Sequence, residues 1–141
     1  MKKMNILILF LGLTLRLYGP EQRELYIPEP IKIEPYERAW QAVCWVETRL
    51  NPCSIGDMHL KEWSYGISQI RRERLEDYNK RTASHYIIDD LYSPEISKKI
   101  FMYYASQYGP YRIDDMIRAW NGSGKATYIY LNKVKQAYER F

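Results

Sequence analysis

Glu47 has surroundings that suit acid–base chemistry. The apolar residues around it recur at three- and four-residue steps and predict one buried helix face, made of Ala39, Trp40, Val43, Val46 and Leu50. Glu47 borders that face, and Pro52 is expected to end the helix. A carboxyl group held at an apolar edge among tryptophans has a raised pKa and can donate a proton. Taken alone, the pattern is more typical of an amphipathic helix that ends in a solvated glutamate.

Two later segments carry polar side chains suited to binding. The segment Ser64-Tyr65-Gly66-Ile67-Ser68-Gln69 contains a glycine that permits close backbone approach. Its last residue, Gln69, can hydrogen-bond the amides or hydroxyls of a substrate. A plainer interpretation is a turn that leads into a helix and is capped by Ser64. Much later, Trp120 and Asn121 precede a glycine-rich turn.

Three segments resemble, in order and spacing, the successive signatures of the soluble lytic transglycosylase domain family. They are ETRLNP from Glu47, SYGISQ from Ser64 and AWNGSG from Ala119, and the resemblance covers roughly Arg38 to Val134. It implies a mainly α, lysozyme-like fold with an irregular loop or small hairpin at one edge. It also implies that Glu47 is the single catalytic residue and that the substrate is bound by Ser64, Tyr65, Gln69, Trp120, Asn121 and Tyr130.

The resemblance implies cleavage of the β-1,4 bond between N-acetylmuramic acid and N-acetylglucosamine in peptidoglycan. Glu47 would protonate the glycosidic oxygen and then accept the proton of the muramyl 6-hydroxyl, which leaves a 1,6-anhydro end. Neither a metal nor a cofactor is implied. The implied partner is the peptidoglycan glycan strand, in wall turnover, in a secretion or conjugation apparatus, or in a phage.

Three positions depart from the family pattern and keep other functions open. Ser68, Trp120 and Ala126 stand where the family usually has methionine, tyrosine and glutamate. One alternative is therefore a non-catalytic wall-binding or assembly protein on the same fold. Another is a hydrolytic lysozyme, in which Asp57 or Glu62 would be the second carboxylate.

The N-terminus predicts export. Two lysines precede the apolar run of residues 5–15, which is too short to span a bilayer comfortably. We therefore interpret residues 1–19 as a signal peptide or N-terminal membrane anchor, residues 20–36 as a proline-rich arm and residues 37–141 as the catalytic domain. The expected location is the periplasm or the extracellular cell wall. Membrane contact is expected only through residues 1–19, if they stay uncleaved.

The charge does not favour nucleic acid as a partner. Residues 1–19 carry three basic side chains and no acid, so the formal charge falls from +4 to +1 without them. The run Arg71-Arg72-Glu73-Arg74 is more typical of a solvated helix face than of a phosphate site.

The remaining chain predicts further helices and no metal site. Helices are expected over residues 69–78, 95–108, 113–120 and 126–141, with Ile129, Val134 and Tyr138 as the packing residues of the last one. Cys44 and Cys53 can either pair in an oxidising compartment or remain two buried thiols.

Overall fold

The computed structural model describes residues 36–109 and 111–141. The predicted leader and the arm, except Tyr36, lie outside the described residues, as does Pro110. The prediction of a mainly α fold is confirmed. The elements are α1 (Glu37–Thr48), β1 (Ile55–Gly56), β2 (Ser64–Tyr65), β3 (Ile70–Arg71), α2 (Arg72–Thr82), a 3₁₀ helix (Ile88–Tyr92), α3 (Pro94–Ser106), α4 (Ile113–Asn121) and α5 (Ala126–Tyr138).

The core lies where α1 packs against α5, with α3 and α4 on its flanks. A row of aromatic rings joins three of these helices. Phe101 of α3 lies 5.3 Å from the ring of Trp40 in α1 and 4.9 Å from the ring of Trp120 in α4, centroid to centroid. Tilted and edge-on aromatic pairs at these distances add to the stabilisation from apolar burial. This row fixes the end of α4 relative to α1.

The first helix ends earlier than the proline predicts. Helix α1 stops at Thr48, and Arg49 and Leu50 take left-handed φ values of 56° and 66°. Their backbone N–H groups bond to the carbonyls of Trp45 and Cys44, which satisfies the helix end. Leu50 was predicted on the buried face, but its side chain is 40% exposed because the chain has already left the helix.

The irregular edge contains a small antiparallel sheet in the order β1-β2-β3. The prediction that a helix begins at Gln69 is wrong. Gln69 has a left-handed φ of 55°, the two residues of β3 pair with β2, and α2 begins only at Arg72. Gly66, on the turn between β2 and β3, has a φ of 73°. A Cβ there would lie 2.0 Å from the carbonyl oxygen of Leu91, so only glycine fits.

The later helices agree more closely with the sequence. Ser93 caps α3 by accepting a hydrogen bond from the N–H of Ile96, and Pro94 occupies the first turn. Met116 and Ile117 of α4 are buried as predicted. In α5, Val134 is buried, whereas Ile129 is 63% exposed and does not pack. The residues of α5 that face the core are Thr127, Tyr130, Leu131, Val134 and Ala137.

The two cysteines do not form a disulfide. Cys44 is buried in α1, Cys53 is exposed in the following turn, and both are free thiols. Among the helices of residues 36–109 and 111–141, none combines the length and the apolar character needed to cross a bilayer.

Candidate active site

A cleft of about 510 Å³ opens beside the C-terminal end of α1. Glu47 lies on one wall, and its side chain is half-buried. Most residues predicted to bind substrate meet here. The lining includes Glu47, Asp57, Ser64, Gln69, Arg71, Arg74, Trp120 and Asn121. The volume falls within the range of ordinary ligand pockets.

Glu47 is held by a tyrosine from the opposite end of the sequence. The Tyr130 hydroxyl, buried in α5, donates a 2.6 Å hydrogen bond to Oε1 of Glu47. Burial raises the pKa of Glu47 above its usual range, and the nearby Asp57 carboxylate raises it further. The Tyr130 hydrogen bond, Arg74 and Arg71 act in the opposite direction. The carboxyl group therefore combines a raised pKa with partners that accept its charged form, as an acid that must later act as a base requires.

Burial, together with the Glu47 carboxylate, raises the pKa of Tyr130 well above the ordinary phenol value. Tyr130 therefore stays protonated and remains a hydrogen-bond donor to Glu47. This contact joins α1 to α5 at the cleft.

Arg74 is a cleft residue that sequence reasoning missed. Its guanidinium lies 4.2 Å from the ring centroid of Trp120 and donates to the backbone carbonyl of Trp120 at 2.9 Å. A longer bond of 3.4 Å reaches the carbonyl of Ala119. Arg74 thus binds the last carbonyls of α4, where a cation is favoured. The charged run around it predicted a solvated face, but Arg74 lies one and four positions before the buried Leu75 and Tyr78. That spacing places Arg74 beside the buried face of the helix, and it was the sequence signal that could have indicated its role.

Ser64 and Gln69 line the cleft, but their polar atoms bind the surrounding loop. Gln69 Nε2 donates to the carbonyls of Gly66, at 2.9 Å, and Ser54, at 3.4 Å. Its Oε1 accepts a 2.7 Å hydrogen bond from the Ser64 hydroxyl. A Cβ at Gly56 would lie 1.9 Å from Gln69 Oε1, so glycine at this position makes room for the amide. In this structure both side chains fix the floor of the cleft.

Trp120 forms part of the cleft wall and is largely buried. Its Nε1 donates to the carbonyl of Ser68 at 3.3 Å, and its ring contacts Phe101 and Arg74. The indole therefore offers a substrate less free surface and fewer free donors than the sequence suggested. Asn121, the last residue of α4, is exposed at the cleft. The Ser68 hydroxyl is buried without a hydrogen-bond partner among the described residues.

Tyr65 is the predicted site residue that lies apart from the others. It lines a separate cavity of about 370 Å³ with Glu62, Trp63 and Arg72, and no lining residue of that cavity is shared with the cleft. Glu62, a candidate second carboxylate, is therefore also outside the cleft. Asp57 lies inside it, but its Oδ2 is bound by Arg71 at 2.7 Å and 3.3 Å.

No protein-family model, curated protein or solved structure matches this chain. Within the described ranges, no three His, Cys, Asp or Glu side chains converge as metal ligands would. The residues of the cleft are suited to proton transfer by one carboxyl group.

Proposed function

We propose that this protein is a peptidoglycan lytic transglycosylase with a lysozyme-like fold, and that Glu47 is its single acid and base. The observation that carries the proposal is the environment of Glu47. Its carboxyl group is half-buried in the cleft of about 510 Å³, has a raised pKa and is held by the Tyr130 hydroxyl. The three sequence segments that resemble the family signatures supply the substrate class.

In the proposed reaction, the carboxyl group of Glu47 gives up one proton and later accepts another. Protonated Glu47 gives its proton to the glycosidic oxygen as the bond from that oxygen to the muramyl anomeric carbon breaks. The 6-hydroxyl oxygen of the same sugar then bonds to the anomeric carbon, and its proton passes to the Glu47 carboxylate. The acid is regenerated, no water is consumed, and the product carries a 1,6-anhydro end.

Three other carboxylates line the cleft, Asp57, Glu73 and Asp77, and the first and last of these are less suited to a second catalytic role. Asp57 is ion-paired with Arg71. Asp77 accepts hydrogen bonds from Arg81 and from the Tyr104 hydroxyl. These contacts occupy Oδ2 of Asp57 and both carboxylate oxygens of Asp77, which are atoms that would hold a water or stabilise a cation. A reaction that takes its nucleophile from the substrate avoids the need for them.

Asp57 still supports one rival function. It lines the same cleft as Glu47, so a hydrolytic lysozyme would use Asp57 as its second carboxylate. A non-catalytic wall-binding protein would use the cleft only for binding, and its function would not depend on the ionisation of Glu47 or Asp57. These three functions differ in their products.

The test is mass analysis of peptidoglycan digested by the purified protein. We expect muropeptides that are one water lighter than hydrolysis products. Glu47→Gln should remove all cleavage, while Glu62→Gln, the same change outside the cleft, should leave it within about twofold of the parent. Asp57→Asn should keep substantial activity with the same products.

Three outcomes would contradict the proposal. Hydrated reducing ends, together with lost activity in Asp57→Asn, would indicate a lysozyme. A folded protein that binds peptidoglycan and releases no fragments would indicate a wall-binding protein. Activity in folded Glu47→Gln close to that of the parent would exclude Glu47 as the acid.

A further inference from the structure

A second concave surface, which we call the basic groove, lies on α1 and α5. It has a volume of about 390 Å³ and is lined by Trp45, Val46, Arg49, Lys133, Gln136, Ala137 and Arg140. Three of these residues are basic and none is acidic. The basic groove shares no lining residue with the Glu47 cleft. Its chemistry is therefore separate from the proposed glycan cleavage.

Two of the three basic side chains of the groove are held together by one aromatic ring. The guanidinium carbons of Arg49 and Arg140 lie 5.0 Å and 4.8 Å from the ring centroid of Trp45. Phe141 contacts the same ring edge-on at 6.5 Å. The indole thus holds two cations near each other through cation–π contacts.

The cations of the groove lack the counter-charge that several other cations in the described part of the chain have. Arg71, Arg81, Lys98, Arg112 and Lys135 each pair with a carboxylate. By contrast, Arg49, Lys133 and Arg140 make no salt bridge with any described residue, and all three are exposed. Clustered like charges without counter-charges create a positive potential that attracts anions and is relieved by binding them.

We propose that the basic groove binds a linear polyanion whose charges are phosphodiesters. Guanidinium groups match the paired oxygens of a phosphate, and a lysine adds a point charge beside them. The Trp45 ring already contacts two guanidiniums and Phe141, which leaves little of it for a nucleobase or a sugar to stack on. Recognition therefore depends on backbone charge alone. This favours a polymer without bases over a nucleic acid, whose single-stranded form is normally bound by stacking as well.

The test measures binding of synthetic poly(glycerol phosphate) to the full chain by titration calorimetry at several salt concentrations. For a flexible polyanion, the logarithm of affinity falls with the logarithm of salt by about 0.7 per neutralised phosphate, so three cations predict a slope of about −2. Arg49→Gln with Arg140→Gln should weaken binding at least tenfold and reduce the slope to about −0.7. The matched control, Lys80→Gln with Lys125→Gln, removes the same charge from exposed positions outside the groove and should change affinity less than twofold.

Folding is checked independently, because the two arginines also contact Trp45. Lys133→Glu does not touch that ring contact and should weaken binding at least threefold in a protein with unchanged thermal unfolding. Equal losses in the groove and control variants would overturn the proposal. So would equal affinity for polyglutamate of matched charge, or tighter binding of oligothymidylate, which would identify a carboxylate polymer or a nucleic acid as the ligand.

Discussion

The Tyr130 hydroxyl donates a 2.6 Å hydrogen bond to Oε1 of Glu47, although the two residues are 83 positions apart. The bond favours the charged carboxylate, whereas burial of the same group favours the neutral acid. The balance between them sets the pH range in which Glu47 can both give and regain a proton.

Removing the Tyr130 hydroxyl should therefore change the pH dependence of activity. In Tyr130→Phe the carboxylate loses a donor, so the pKa of Glu47 rises further. We expect the alkaline limb of the pH–rate profile, where the acid is lost, to move to higher pH. The stability cost should be about 1 kcal/mol, as for one hydrogen bond.

The control for this variant is Tyr128→Phe, the same change on the exposed side of the same helix. It should leave the profile in place. If both variants show the parent's profile, the hydrogen bond does not set the pKa of Glu47.

Glu47→Gln should stabilise the protein in a pH-dependent way. Because the pKa of Glu47 is raised on folding, the folded state holds its proton above the ordinary value of 4.5, where the unfolded chain releases it. The parent therefore loses stability as the pH rises from that value through the folded pKa. Glutamine does not titrate, so the variant avoids this loss.

We expect a gain on the order of 1 kcal/mol at neutral pH, or roughly 4 °C in Tm, which vanishes below pH 4.5. Thermal unfolding of both proteins across this pH range provides the measurement. A variant less stable than the parent at neutral pH would mean that Glu47 is better stabilised as a carboxylate than its burial indicates.

Gly66→Ala should destabilise the fold and damage the cleft. The new Cβ would collide with the Leu91 carbonyl at 2.0 Å, in addition to the strain of a φ of 73°. Gly124, with a φ of 86° and no atom within 4 Å of the corresponding Cβ, is the matched control, because Ala there adds only the backbone strain. Urea unfolding should give a loss of about 1 kcal/mol for Gly124→Ala and at least twice that for Gly66→Ala. Equal losses would show that the contact with Leu91 is easily relieved.

Export is predicted from the sequence of residues 1–19 alone. Fused to a reporter that is active only outside the cytoplasm, these residues should give a signal. Leu9→Arg should remove that signal, because it places a charge in the apolar run. A silent parent fusion would contradict the expected location. Leu9→Lys repeats the test with a second charged residue and should also remove the signal, while Leu9→Ile is the apolar control and should keep it.

The long helices were predictable because the spacing of apolar residues within each segment indicates which face is buried. The helical positions of Val43, Met116 and Val134 all follow the 3.6-residue period. The start of α2 was not predictable, since strands of two residues carry no alternation. Gln69 is left-handed there because its side chain bonds to Ser64, Ser54 and Gly66, contacts that form only when the loop closes. Ile129 shows the converse error, an apolar side chain on the exposed side of its helix.

The candidate site was predictable in part for a similar reason. The resemblance of three segments led to Glu47, Ser64, Gln69, Trp120 and Asn121, which share one cleft. It did not indicate Arg74, because the carbonyls that this residue binds lie 45 and 46 positions away. Nor did it separate Tyr65 from the other predicted site residues. Tyr65 lies apart from Ser64 because adjacent residues of a strand point to opposite faces, and the strand itself was not predicted.

The difference in exposure between the two thiols makes this protein suitable for site-specific labelling without engineering. The whole chain contains two cysteines, and burial raises the pKa of the Cys44 thiol, so it will react slowly with maleimides. Cys53 is exposed in the turn that follows the helix of Glu47. A fluorophore attached there would lie one residue from Ser54, whose carbonyl accepts a hydrogen bond from the cleft residue Gln69, and its emission would test whether a glycan strand binds.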